Sequence, residues 1–133
     1  MDNGIHHKIV NLPGPILVLG ASGFIGAHLF RALEAVRSDV YGTSSQHHPW
    51  RLHGTSKEGL KVTELLFGLQ LENLFNDVCP KTIFNCAAYG AYSFQTDRNL
   101  TYSTNFSLVV DILESISSLN IHAFVHAGTS SEY

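Results

Sequence analysis

Cysteine is scarce: Cys79 and Cys86 are the only two in 133 residues, too few for a disulfide framework. Nothing therefore points to an oxidising compartment, and both thiols are expected to be reduced, Cys86 in a buried setting. An excess of positive charge is lacking too. Eight Lys and Arg against eleven Asp and Glu leave a net charge of −3, no electrostatic footprint for nucleic acid or an anionic membrane. No apolar run approaches the roughly 20 residues that span a bilayer. Met1 to Pro15 lack the basic segment and apolar core of a signal peptide. These absences favour a cytoplasmic setting with no membrane partner. Charged residues are few (14%) and hydrophobic ones make up 44%, which excludes a disordered chain and suits one globular domain. Repeats, low-complexity segments and internal domain boundaries are absent as well.

Eight histidines are present, but not in a pattern that binds metal. His6-His7 and His47-His48 are adjacent pairs, whereas helical ligand pairs need i, i+4 spacing on one face. No metal site is expected, and His126 reads as a packed core histidine.

What remains is an alternation of short apolar runs and helical stripes, the pattern of a parallel α/β sheet. Ile16-Leu17-Val18-Leu19 reads as a strand buried on both faces. Ile25, Leu29, Leu33 and Val36 are spaced for one face of a helix. Asp39 to Gly42 is a short second strand, with Asp39 a solvated turn residue at its beginning. Thr43 to Gly59, polar and broken by Pro49, reads as loop. Leu60 to Thr63 is a third strand; Leu71, Leu74, Phe75 and Val78 mark a helix closed by Pro80. Thr82 to Ala87 is a fourth strand and Ala123 to His126 a fifth. Between them a helix from about Asn99 to Leu119 carries two apolar stripes. One is Val109, Ile112, Ile116 and Leu119; the other, Phe106, Val110 and Leu113, must be covered by something beyond the sheet.

Gly20-Ala21-Ser22-Gly23-Phe24-Ile25-Gly26 has the spacing G-x-x-G-x-x-G, directly after a strand and opening a helix. The first glycine permits the tight turn, the second lets backbone N–H groups approach a pyrophosphate, and the third lets helix and strand pack closely. The helix N-terminus adds its positive dipole end. Gly20, Ser22, Gly23, Phe24, Ile25 and Gly26 are thus candidate cofactor-binding residues. An acidic residue at the end of the second strand would read the ribose 2′-hydroxyl of NAD. Here Thr43-Ser44-Ser45 stand instead and Arg51 follows only several residues on. The cofactor reads as NAD or NADP, with Thr43 and Ser44 as candidate ribose-side residues and their hydroxyls favouring NADP.

Two further segments carry a family resemblance. Ile83-Phe84-Asn85-Cys86-Ala87-Ala88 is similar to the strand-end motif of the extended short-chain dehydrogenase/reductases, the NAD-dependent epimerase/dehydratase family. Ala127-Gly128-Thr129-Ser130-Ser131-Glu132-Tyr133 is similar to that family's fifth-strand motif. The resemblance runs from Pro15 to Tyr133 with the motifs in family order. It implies a Rossmann-type doubly wound parallel sheet, truncated after the fifth strand. Residues 1–14 are then an N-terminal extension, and 15–133 an incomplete NAD(P)-binding domain.

It also implies roles. Ala87 and Ala88 leave room for the nicotinamide-side ribose and phosphates. Thr129, with Ser130 as fallback, takes the catalytic Ser/Thr position. Glu64 and Leu65 fall where the family contacts adenine, although Asp is usual where Glu64 stands. Asn105 matches a position in the fourth helix where Asn is frequent, and a surface asparagine there is an equally good reading. The implied activity is NAD(P)-dependent epimerisation, reduction or dehydration of a nucleotide sugar, in a homo-oligomer. Dehydratases of this kind carry an acid within two places of the Thr; Ser130 and Ser131 stand there, which tilts the reading toward epimerase or reductase. The family's Tyr-x-x-x-Lys pair is absent from these 133 residues, so the chain by itself is expected to be inactive. A non-catalytic dinucleotide-binding module, redox-sensing or scaffolding, is the competing reading. Tyr89, Tyr92 and Phe94 are candidates for shaping the pocket, or for covering a core edge.

Overall fold

Ile16-Leu17-Val18-Leu19 forms β1 (Ile16–Leu19), and all four residues are buried. Such a run needs apolar cover on both faces, which requires a central strand. The computed structural model describes residues 3–56, 58–63, 68–89 and 93–128. Around β1 stand β2 (Val40–Ser44), β3 (Leu60–Val62), β4 (Thr82–Asn85) and β5 (Ala123–His126). All pairs are parallel and the order is β3-β2-β1-β4-β5. Ile16 stands beside Val40 on one side and Thr82 on the other. This is a Rossmann-type sheet, the first five strands of the 3-2-1-4-5-6 order.

Helices cover both faces. On one, α1 (Asn3–Asn11) and α2 (Phe24–Glu34) pack through Ile9, Ala27, Phe30 and Leu33 onto Ile16, Val18 and Val40. On the other, α3 (Gly68–Val78) and α5 (Leu108–Ile116) pack Leu71, Leu74, Phe75, Val78, Leu108 and Ile112 onto Leu17, Leu19 and Ile83. The stripe expected for α3 is the stripe that is buried. In α2 the buried face is rotated from the expected one: Gly26, Ala27, Phe30 and Leu33 lie inward, and Ile25 is exposed. Two small residues at 26 and 27 let the helix sit close to the sheet, which turns Ile25 outward.

Other expectations need correction. The long helix is continuous from Arg98 to Ile116, but it passes from α4 (Arg98–Tyr102) through a wide turn of π type over Ser103–Ser107 into α5, a feature the spacing does not show. Asp97 caps α4, its carboxylate accepting from the Leu100 N–H at 3.1 Å. Phe106, Val110 and Leu113 do form an exposed face. The stretch read as loop from Thr43 begins as strand, because β2 runs to Ser44, and holds a 3-10 turn at Trp50–Leu52 whose Leu52 is fully buried. Asp39 is no solvated turn residue: it receives two hydrogen bonds from Arg37, at 2.8 and 2.6 Å. The same guanidinium donates to the carbonyls of Ile9 and Leu12 at the end of α1, satisfying acceptors that a helix terminus leaves open. In the N-terminal extension, residues 1–14, α1 occupies most of the length and buries Ile9 in the core.

Candidate functional site

The chain leaves β1 toward α2 on one face and leaves β4 toward α4 and α5 on the other. Where the connections part, the carboxyl ends of the strands open into a crevice. It has a volume of about 330 Å³. Its floor is Gly20, Ser22 and Gly23; Thr43, Ser44, Ser45 and Thr63 form one wall, and Cys86, Ala87, Ala88 and Tyr89 the other. Gln95, Leu100, Thr104 and Leu108 close the far side. Candidate residues from three separate segments therefore meet in one cleft.

The three glycines of the turn play different parts. Gly20 has a left-handed φ of +75°, and a Cβ there would stand 2.7 Å from the Ala87 backbone. A Cβ on Gly26 would stand 2.0 Å from the carbonyl oxygen of Gly20. Both are required by the fold itself. Gly23 is not: its φ is −77°, and a Cβ would meet nothing nearer than the Gly20 oxygen at 3.5 Å. It lies on the cleft floor as the N-cap of α2 with no side chain capping the helix. The first N–H groups of a helix have no acceptor within it. A phosphate drawn there meets these donors and the positive dipole end. The bare Cα of Gly23 leaves the approach open, so the turn fits a dinucleotide pyrophosphate. Phe24 and Ile25 are exposed and, with Gly26, do not line the cleft.

Thr43 and Ser44 are buried, and their hydroxyls are engaged internally. The Thr43 Oγ1 accepts from the Gly20 N–H at 3.0 Å, and the Thr43 carbonyl accepts from Ala21 at 2.8 Å, which braces the glycine turn. The Ser44 Oγ closes a small turn with the backbone of Gln46, donating and accepting at 2.9 Å. Both residues build the wall; the Ser44 hydroxyl both donates and accepts within its own turn, whereas the Thr43 hydroxyl only accepts, and its O–H has no acceptor among the described residues.

On the opposite wall, buried Asn85 accepts from the Ala87 N–H at 3.3 Å and meets the His126 Nδ1 at 3.2 Å through its Nδ2. His126 is exposed, not packed in the core, because β5 is a sheet edge. Asn105, in the π turn, holds Tyr89 by both backbone groups. Its Oδ1 accepts from the Tyr89 N–H at 3.0 Å and its Nδ2 donates to the Tyr89 carbonyl at 2.6 Å. The Tyr89 hydroxyl in turn accepts from the Asp97 N–H at 3.2 Å. Asn105 is thus more than a surface residue: it fixes the loop that borders the cleft. Cys86 is half-buried rather than fully buried, and that burial pushes its thiol pKa up. Phe94 is exposed and does not line the cleft.

Glu64, Leu65, Tyr92, Thr129 and Ser130 lie outside the described residues. Among the described residues no three His, Cys, Asp or Glu side chains gather to hold a metal, and no helix is long and apolar enough to cross a membrane. A hollow of about 390 Å³ between α3 and α5 is larger, but Glu72, Asp111 and Glu114 line it. Their charge repels a phosphate.

Sequence reasoning missed Ser45, Thr63, Gln95, Leu100, Thr104 and Leu108, none of which belongs to a motif. Arg51, set aside in the sequence as standing several residues beyond the second strand, is returned by the 3-10 turn to the glycine loop, where its Nη1 meets the Ser22 carbonyl at 3.3 Å.

Comparison with known proteins agrees with this geometry. The chain is 29% identical over 132 residues to Protein CapI of Staphylococcus aureus, covering 89% of this chain and 38% of that protein. The epimerase Mth375 of Methanothermobacter thermautotrophicus superposes with a TM-score of 0.80 at 19% identity, over 96% of this chain and 39% of that one. WbmG of Bordetella bronchiseptica, solved in complex with NAD and UDP, superposes with a TM-score of 0.73 at 16% identity, over 88% of this chain and 38% of that one. The chain thus spans under two fifths of the length of each of these proteins. The family model for the NAD dependent epimerase/dehydratase family matches residues 16–133. A parallel sheet split at a glycine-floored crevice, together with that match, means that the chain belongs to the NAD-dependent epimerase/dehydratase family.

Proposed function

We propose that this chain is the dinucleotide-binding part of an NAD(P)-dependent enzyme that acts on nucleotide-activated sugars, by epimerase or reductase rather than dehydratase chemistry. Gly23 carries the reading: the fold would accept a side chain there, and the open space faces the N-terminus of α2. Gly20, Ser22 and Gly23 receive the pyrophosphate, with the backbone of Phe24 and Ile25 supplying N–H donors. Glu64 and Leu65 contact adenine. Ala87 and Ala88 leave room for the nicotinamide-side ribose, and Thr129, or Ser130, orients the reacting sugar hydroxyl. The bound nicotinamide would supply a hydride acceptor or donor. The sequence holds no Tyr-x-x-x-Lys pair, so the 133 residues by themselves carry out no turnover. The setting is cytoplasmic, and the partners are a nucleotide sugar and a second copy of the chain. That UDP and NAD are named with one structural relative supports the substrate class.

Calorimetric titration of the chain and of Gly23→Val with NAD(H) and NADP(H) tests the reading. Wild type is expected to bind and the variant to lose at least about tenfold, since a side chain between phosphate and helix blocks charge-assisted hydrogen bonds of about 1.5–3 kcal/mol each. Equal affinities from two folded proteins would remove the phosphate site. The competing reading is a non-catalytic dinucleotide-binding module, and cofactor-dependent turnover by the protein carrying this chain would overturn it.

A further inference from the structure

Asn85 ends β4 and is 1% exposed, and a buried carboxamide needs partners at both ends. Its Oδ1 accepts from the Ala87 N–H at 3.3 Å, and its Nδ2 meets the Nδ1 of His126, the paired residue on β5, at 3.2 Å. The Ala87 amide only donates, so the Asn85 oxygen faces Ala87 and the NH2 faces the imidazole. The Nδ1 of His126 is therefore an acceptor, which puts the proton of the neutral ring on Nε2.

An imidazolium donates from both nitrogens and cannot fill that place. With Nδ1 protonated, the amide as it stands sets donor against donor. Turned over, it would satisfy His126 but aim its NH2 at the Ala87 N–H. Either way one contact is lost. His126 is exposed and can turn to water, but buried Asn85 cannot follow it. What Asn85 holds matters to the cleft. Ala87 lines it between Cys86 and Ala88, and its backbone stands so close to Gly20 that a Cβ on the glycine would come within 2.7 Å. A shift of Ala87 therefore moves the wall against the glycine floor. The neighbours of His126 are uncharged: Asn85 across the sheet and Phe124 on the same strand, its ring centred 6.5 Å away. From α5, Asp111 and Glu114 line the hollow toward α3 instead, and no carboxylate among the described residues forms an ion pair with the imidazole.

We propose that neutral His126 is a positioning residue for the cofactor: through Asn85 it holds the Ala87 wall of the cleft, and proton uptake by its imidazole releases that wall and weakens dinucleotide binding. The role rests on the dinucleotide reading above.

Calorimetric titration of the protein, His126→Gln and His126→Phe with NAD between about pH 8 and about pH 5, the range in which histidine changes charge, tests it. Glutamine keeps an acceptor that does not titrate, and phenylalanine offers none. Wild type should match His126→Gln within about twofold at the upper pH and bind about tenfold more weakly at the lower, the size of one lost hydrogen bond. His126→Phe should be about tenfold weaker than His126→Gln throughout. His28 on α2, and His47 and His48 after Ser45, gain positive charge with acid and favour an anionic ligand; all three variants share them, so the ratio to His126→Gln isolates His126. Without ligand, the Ala87 amide resonance should move with the His126 ring in wild type and stay put in His126→Gln. A ratio that is constant with pH, or an Ala87 resonance that ignores the ring, would overturn the proposal and leave the dinucleotide reading intact. NAD binding to none of the three at any pH would remove both.

Discussion

A methyl group added at Gly26 would stand 2.0 Å from a backbone oxygen, whereas one added at Gly23 would meet nothing within 3.4 Å. The spacing G-x-x-G-x-x-G cannot separate these two; only the packed turn does. Gly26→Ala must push α2 off β1, at a cost of about 3 kcal/mol and about 10 °C in Tm for a chain of this size. Gly23→Ala should stay within about 1 kcal/mol of wild type. Thermal melts of both variants check the contrast, and equal losses would mean that Gly23 also serves packing. The cysteines give a second prediction at this scale. Cys79 is exposed, while Cys86 is half-buried on the cleft wall with its pKa raised by desolvation. The thiolate is the reactive form, so iodoacetamide near neutral pH should label Cys79 faster. If NAD(H) or NADP(H) occupies the cleft, either should slow Cys86 further while leaving Cys79 unchanged, as peptide mass spectrometry would show.

The elements that could be read from the sequence are those whose own residues carry the signal. β1 is an unbroken apolar run, β4 and β5 are centred on the apolar pairs Ile83-Phe84 and Phe124-Val125, and α3 shows its buried face in the spacing of Leu71, Leu74, Phe75 and Val78. What was hidden depends on partners far along the chain. Leu52 anchors a turn because α2 lies over it, and Arg51 reaches Ser22 only once that turn exists. Local spacing likewise shows no π turn. α1 belongs with these, since its single buried side chain, Ile9, is a weak periodic signal and its end is fixed by Arg37 from beyond β1.

That clamp gives a pH prediction. Asp39 has its pKa lowered from 3.8, chiefly by its hydrogen bonds from Arg37. A depressed carboxylate pKa stabilises the fold above the unfolded value, and the contribution fades as pH falls through the folded value. Asp39→Asn should therefore melt below wild type at neutral pH, and the gap should close as the pH is taken well under 3.8. Because Asp39 is partly exposed, the gap should be small. A gap that widens on acidification would reverse the sign of the argument.

At the scale of the molecule, two sheet faces are covered but one helix face is not. Phe106, Val110 and Leu113 are 65%, 36% and 52% exposed on neighbouring turns. Burying each such side chain is worth about 1.5–3 kcal/mol, and contiguous apolar patches of this kind become interfaces. The scattering mass of the chain should rise with concentration, and Leu113→Glu should suppress the rise. A constant monomer mass at high concentration would show that this face does not pair.

The strand order also divides the protein's history on the ribosome. The buried members of the first core all lie between Ile9 and Leu52, with only Leu60, Phe84 and Cys86 packing against it from further on, but the buried members of the second are not complete until Ile112 has been added. A nascent chain grown as far as β3 can thus seal one side of its sheet while Leu17 and Leu19 stand bare on the other. For that interval the growing polypeptide displays a greasy flank, the kind of surface that chaperones hold. The glycine floor of the cleft is by then in place, facing an opposite wall that arrives only with Ala87.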